Sequence, residues 1–276
     1  MSTEVFDVLA YSADARGSHR AELTGIGRPL PDGLRSELRY LRSRLSGTTG
    51  WLSLVLVTPT HKNARITAFL SGWAYERYWL ADALDALTAD PAAPAVPARL
   101  GLRTRFAPLA EAVVANVHGS ALTAVHMAER AVDGVFVEAL LGHAIGQASG
   151  PVAADLERLR GVLLRQHSFF TEEAGRLLAS SARARRLSRR RLSARAWPIG
   201  AGDDVSGTAA ALTALGAADP QWAEQADARI ALLPGLAGLG LARRSAANPG
   251  RPALRTPLRP VAALGRLAAS AVRRKD

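Results

Sequence analysis

From Thr58 to Ala196 the chain is built of long segments rich in Ala, Leu and Arg, separated by little more than proline and glycine, and this pattern constrains the fold more than any single motif. These residues are good helix formers, β-branched residues are sparse, and apolar side chains recur at helical rather than alternating spacing. Leu34, Leu38, Leu41 and Leu45 fall at i, i+4, i+7 and i+11 with Arg and Glu between them, the stripe of an amphipathic helix that buries one side. The expected class is all-α. Thr58-Pro59 and Gly150-Pro151 read as helix starts, because proline at the first helical position forfeits no bonded N–H. Pro91, Pro94 and Pro97 end a helix.

Long helices are therefore expected over about 58–89, 100–117, 121–148 and 152–180, followed by an arginine-rich helix to 196 and one or two short helices over 205–230. The segment 121–148 is either separate from 100–117 or continuous with it across Gly119. The chain divides into an N-terminal helical extension (1–57), a helical body (58–241) and a basic, flexible tail (242–276). Its 276 residues suit one large core with a small appendage, since single cores stop growing near ~250 residues.

Composition removes several chemistries. There is no cysteine, which excludes disulfides, thiolate zinc, iron–sulfur clusters and thiol nucleophiles, so any metal must be held by His and carboxylates. Neither a Gly-x-Ser-x-Gly elbow nor a glycine-rich phosphate loop after a strand is present. Asp7, Asp14 and Glu22 interrupt the first thirty residues, so no signal peptide is visible and a cytoplasmic protein is expected. The strongly apolar run Trp51 to Val57 is far shorter than the ~20 residues that cross a bilayer.

The net charge of +11 is concentrated. Residues 182–195 hold seven arginines and no acid, and 242–276 hold nine basic residues against Asp276 alone. Lys62 and Lys275 are the only lysines, a bias that reads as codon usage rather than selection for phosphate contacts. The arginine-rich helix carries no interleaved aromatics, so a solvated face is expected there and nucleic acid is not the expected partner. A homodimer, and a weak membrane-surface contact through the basic tail, stand as secondary expectations.

One stretch, Arg160 to Phe170, has the frame of a metal-binding bundle helix without its acid. A di-iron helix carries Glu-x-x-His, whereas the residue three before His167 is Leu164. The order and spacing of Thr58-Pro-Thr-His61, Phe69-Leu-x-x-Trp73-x-Tyr-Glu76, Val125-His126-Met127, Arg160 to His167-x-Phe-Phe170, Trp197-Pro-Ile-Gly-x-Gly202 and Leu233-Pro-Gly-Leu236 resemble a bacterial group of ferritin-like proteins. The resemblance covers about 58–240 and implies a ferritin-like four-helix bundle with additional N- and C-terminal helices. It places a first-helix Glu on Glu76, a third-helix Glu on the position held by Gly134, and a fourth-helix Glu on the position held by Leu164, so it implies a degenerate di-iron site. Glu138, four residues beyond Gly134 on the same face, is a displaced acid.

These positions define the expected site. Glu76, His167 and Asp133 are the candidate acid–base groups, Trp73, Met127, Gly134, Glu138 and Leu164 line the substrate space, and no metal ligand set is assigned. His126 is expected to be bundle packing, and Glu172 and Glu173 to face water. Three functions follow. The first is a ferritin-like enzyme or small-molecule-binding protein without its di-iron site or any cofactor, taking an apolar ligand in the bundle interior. The second keeps iron or manganese in an altered site, as an oxygenase or oxidase. The third is a scaffold that docks an acidic partner on the arginine-rich helix.

Overall fold

The computed structural model describes residues 5–89, 118–200 and 204–250, and among them there are helices and no strand. The helices are α1 (Val8–Ala13), α2 (Asp32–Ser46), α3 (Thr48–Val55), α4 (Ala64–Thr88), α5 (Ala121–Gln147), α6 (Gly150–Ser180), α7 (Ala182–Ser193), α8 (Val205–Ala218), α9 (Trp222–Ala231) and α10 (Leu241–Ala247). Short 3₁₀ turns occupy Arg20–Glu22 and Pro59–Lys62. The helix expected over 100–117 and most of the basic tail lie outside the described residues.

Local chemistry sets the boundaries. The Thr58-Pro59 signal opens the 3₁₀ turn rather than the long helix, and α4 starts where the Asn63 side chain accepts from the Ile66 N–H, one of the orphan donors of a helix start. Asp7, Ser181 and Asp204 cap α1, α7 and α8 in the same way. Gly119, at φ 58°, separates α5 from whatever precedes it, because a left-handed residue cannot continue a right-handed helix. Gly150, at φ 54°, makes the corner into α6, with Pro151 at its start.

α5 and α6 form the most extensively packed hairpin, α2 lies along α4 and also reaches α5, and α7 folds back over α5. The stripe read from sequence holds, with Leu34, Leu38, Leu41 and Leu45 all within 1% of full burial. Leu41 and Leu45 meet Leu80, Leu84, Leu141, Leu159 and Leu163 around an apolar void of about 10 Å³. That is no larger than one water-sized sphere, so this leucine-lined part of the interior holds no ligand.

α4 and α6 meet through their side chains rather than by close backbone approach, with Phe69 stacked on Phe169 at 3.6 Å between ring centres. The N-terminal segment fills the gap, with Phe6 and Tyr11 packed on Phe69 and Phe169. At the other end the packed body continues beyond residue 241, where a flexible tail was expected to begin. Ala242 is fully buried, Arg243 pairs with Asp227, and the Ser245 hydroxyl donates to the Trp197 carbonyl.

Candidate functional site

The expected site residues separate into three groups that share no hydrogen-bond partner. Glu76, on the buried face of α4, has no solvent exposure. It accepts from the Tyr11 hydroxyl at 2.6 Å, the Arg16 N–H at 3.3 Å, Arg165 at 2.7 Å and the Gln166 amide at 2.9 Å. A buried carboxylate with both oxygens occupied is a structural anchor, and burial together with the Glu76 bond raises Tyr11 well above the ordinary phenol range. Glu76 therefore joins the N-terminal segment, α4 and α6, and no capacity is left for a ligand.

His167 belongs to a second group. Its Nε2–H donates to the Ala131 carbonyl at 2.8 Å, and its Nδ1 meets Glu138 at 3.3 Å. The ring lies directly over Gly134. A Cβ there would be 2.9 Å from both Cγ and Nε2 of the imidazole, closer than real side chains approach. The glycine at the expected carboxylate position is thus what lets α6 seat its histidine against α5. Glu138 also takes Arg229 from α9 at 2.5 Å. Burial would raise the Glu138 carboxyl, but the bonds from His167 and Arg229 and the charge of Arg229 outweigh it and hold it at about 2.

Leu164, expected in the lining, is 37% exposed on the outer face of α6, because one residue in three on an α-helix turns away from its partner helix. Met127 is fully buried in apolar packing. The expectation for Glu173 is also corrected. It is fully buried, paired with Arg176 and approached by Arg65 at 3.8 Å, while Glu172 binds Arg65 and the Phe6 N–H at 2.8 Å.

The third group is a layer of cations around Asp133. Arg44 of α2 reaches Asp133 at 2.5 Å and Arg130 at 3.5 Å, and the Ile199 N–H donates to the same carboxylate at 3.2 Å. Arg77 of α4 joins them without an acid of its own, and burial, reinforced by the Arg130 charge, pushes it down to about 10. The guanidinium carbons of Arg77 and Arg130 lie 5.4 Å and 5.0 Å from the ring centres of Trp73 and Trp51, and those indoles meet edge-on at 5.4 Å. Nearby, Arg191 of α7 and Arg195 just beyond its end hold Glu129 at 3.0 Å and 2.9 Å.

The layer has more donors than acceptors. The Nε–H groups of Arg44, Arg77 and Arg130 and the indole N–H groups of Trp51 and Trp73 are buried with no hydrogen-bond partner among the described residues. Sequence reading found Asp133 and Trp73 but missed the arginines and Trp51. A signal was available: Arg44 adjoins the α2 leucine stripe, Arg77 is four residues after Trp73, and Arg130 is three before Asp133. Arginine is so frequent in this chain that none of these stands out.

The arginine-rich helix is tied down by its own protein. Besides Arg191 and Arg195, Arg185 donates to the Leu178 and Ala179 carbonyls, and Arg189 to those of Gly235 and Ala237. Among the described residues no three His, Asp or Glu side chains are grouped to hold a metal, and no helix is long and apolar enough to cross a membrane. Comparison with family models, curated proteins and solved structures finds no match.

Proposed function

We propose that this protein is a small-molecule-binding helical bundle of the ferritin-like type, working without a metal, whose interior takes its ligand at the cation layer around Asp133. The observation that carries this reading is the contrast in polar capacity. Glu76 is filled by four donors, and the Gly134 position is covered by the His167 ring. The residues that would frame a di-iron site are thereby spent on holding helices together, and they do not fit a metal pair, which needs bridging carboxylates facing one space. The layer of Arg44, Arg77, Arg130, Trp51 and Trp73 instead keeps five buried donors in reserve.

Such a layer favours binding over acid–base turnover. Guanidinium groups orient and neutralise an anion but do not exchange protons near neutral pH. Asp133 is the base nearest a ligand there, and it already accepts from Arg44 and a backbone N–H. The iron- or manganese-dependent oxidase reading has no ligand set behind it among the described residues. The scaffold reading loses support because four of the seven arginines of the basic helix serve internal contacts.

Elemental analysis of the full chain purified from iron- and manganese-supplemented culture tests this directly. The expected result is far less than one metal ion per chain and a melting temperature indifferent to chelators. Two tightly held metal ions per chain would overturn the reading.

A further inference from the structure

The charge balance of the interior layer names the class of ligand. Among the described residues, Arg44, Arg77 and Arg130 place three positive charges around the carboxylate of Asp133, while the neighbouring Glu129 is taken up by Arg191 and Arg195. Arginine stays protonated in proteins even when buried, so the excess cannot be relieved by losing a proton. Taking an ion out of water without an opposite partner costs several kcal/mol, and stacking on an indole returns only about 0.5–2 kcal/mol. Arg77 carries that deficit most plainly, since it makes no hydrogen bond or ion pair with any described residue and its Nε–H is buried.

We infer that the layer formed by Arg44, Arg77, Arg130, Trp51 and Trp73 is a binding site for a small oxyanion, a carboxylate or phosphate group, whose oxygens take up the unpaired guanidinium and indole N–H groups. This rests on the small-molecule reading above. Two features of the site support it. The open groups are all donors, and planar guanidinium forks match the paired oxygens of carboxylate and phosphate. The layer is also not sealed, for Arg44 and Arg130 keep 10% and 14% of their side-chain surface and Arg77 is half-buried. An organic acid would bring its carboxylate to the arginines at the open edge of the layer. A phosphate would use the charge alone.

The test is titration of the full-length protein with sodium phosphate and, separately, sodium benzoate, at ionic strength held constant with sodium chloride, following melting temperature and tryptophan fluorescence. Wild type and Arg190→Gln, which removes an exposed cation of the basic helix, should show the same saturable stabilisation by at least one of these anions. Arg77→Met should weaken that binding by about tenfold or more, the cost of one charge-assisted bidentate contact. If Arg77→Met fails to fold, Arg77→Lys, which keeps the charge but loses the fork, should still weaken binding severalfold. Preference for benzoate marks an organic carboxylate, and preference for phosphate a phosphoryl group. The inference is overturned if both anions act only as chloride does, or if the Arg77 variants bind as wild type does. These outcomes are independent of metal content, so failure here leaves the metal-free reading standing on its own measurement.

Discussion

Glu76 and Asp133 are both buried acids inside one helical body, and their surroundings are opposite. Four donors converge on Glu76 and balance it, with the single cation Arg165 supplying the charge. Around Asp133, three cations share one acid and five N–H groups go without acceptors among the described residues. A closed network, here filled at the Glu76 carboxylate, fixes architecture, and an open one leaves buried polar groups at a cost. Glu76, which the resemblance singles out, lies in the closed network, and the open one is built from arginines outside the motifs that carry the resemblance.

Removing the acid from either centre should produce the largest effects. Glu76→Ala strands Arg165, Tyr11 and Gln166 together, and should lower unfolding free energy by about 3 kcal/mol in a urea titration. Asp133→Asn should cost a similar amount, and here the two centres should diverge, since phosphate or benzoate should restore part of the loss for Asp133→Asn and none for Glu76→Ala. Equal recovery in both, or in neither, would break the distinction.

Next in size is the packing of His167 on Gly134. Gly134→Ala forces the imidazole away and should cost about 1–3 kcal/mol, the usual range for overpacking. In a His167→Ala background the same substitution should be nearly free, so a double-mutant cycle should give a coupling of order 1 kcal/mol or more. Additive effects would mean that the histidine does not rest where the glycine leaves room.

Glu138 gives a smaller effect confined to acid. Its folded carboxyl is held at about 2, below an ordinary Glu value near 4.3, so the unfolded state binds the proton more readily. Its contribution is fully present above about pH 5 and is lost as pH falls toward 2. Glu138→Gln should therefore flatten stability against pH in that window and leave the profile above it parallel to wild type. The smallest effect should come from Arg77→Met. With only its stacking on Trp73 to lose and like charges nearby, the free protein should change by less than about 1 kcal/mol, whereas loss of an arginine from a closed network, as in Arg165→Met, should cost more.

Helical periodicity made the all-α class readable, and it also gave the buried leucine stripe of α2 and the proline and glycine corners at 150–151, because these depend on neighbours within a few residues. One boundary missed by sequence was equally local. Asn63, not Thr58, caps α4, and a second polar residue five positions along competed for the same role. Glu173 was misread for a longer-range reason: an acid beside another acid looks solvated until Arg65 of a different helix is brought against it.

The residue pattern thus dictated the helices, several of their ends and the buried face of α2, since these follow from backbone geometry and the 3.6-residue repeat. It left open which buried charges meet. Tyr11 and Glu76 are 65 residues apart, and Arg44 and Asp133 are 89 apart, so no local rule connects them. Folding brought four donors to one acid and too few acids to three arginines. That imbalance arises only when the helices pack, because a charge becomes costly only after its water has been removed.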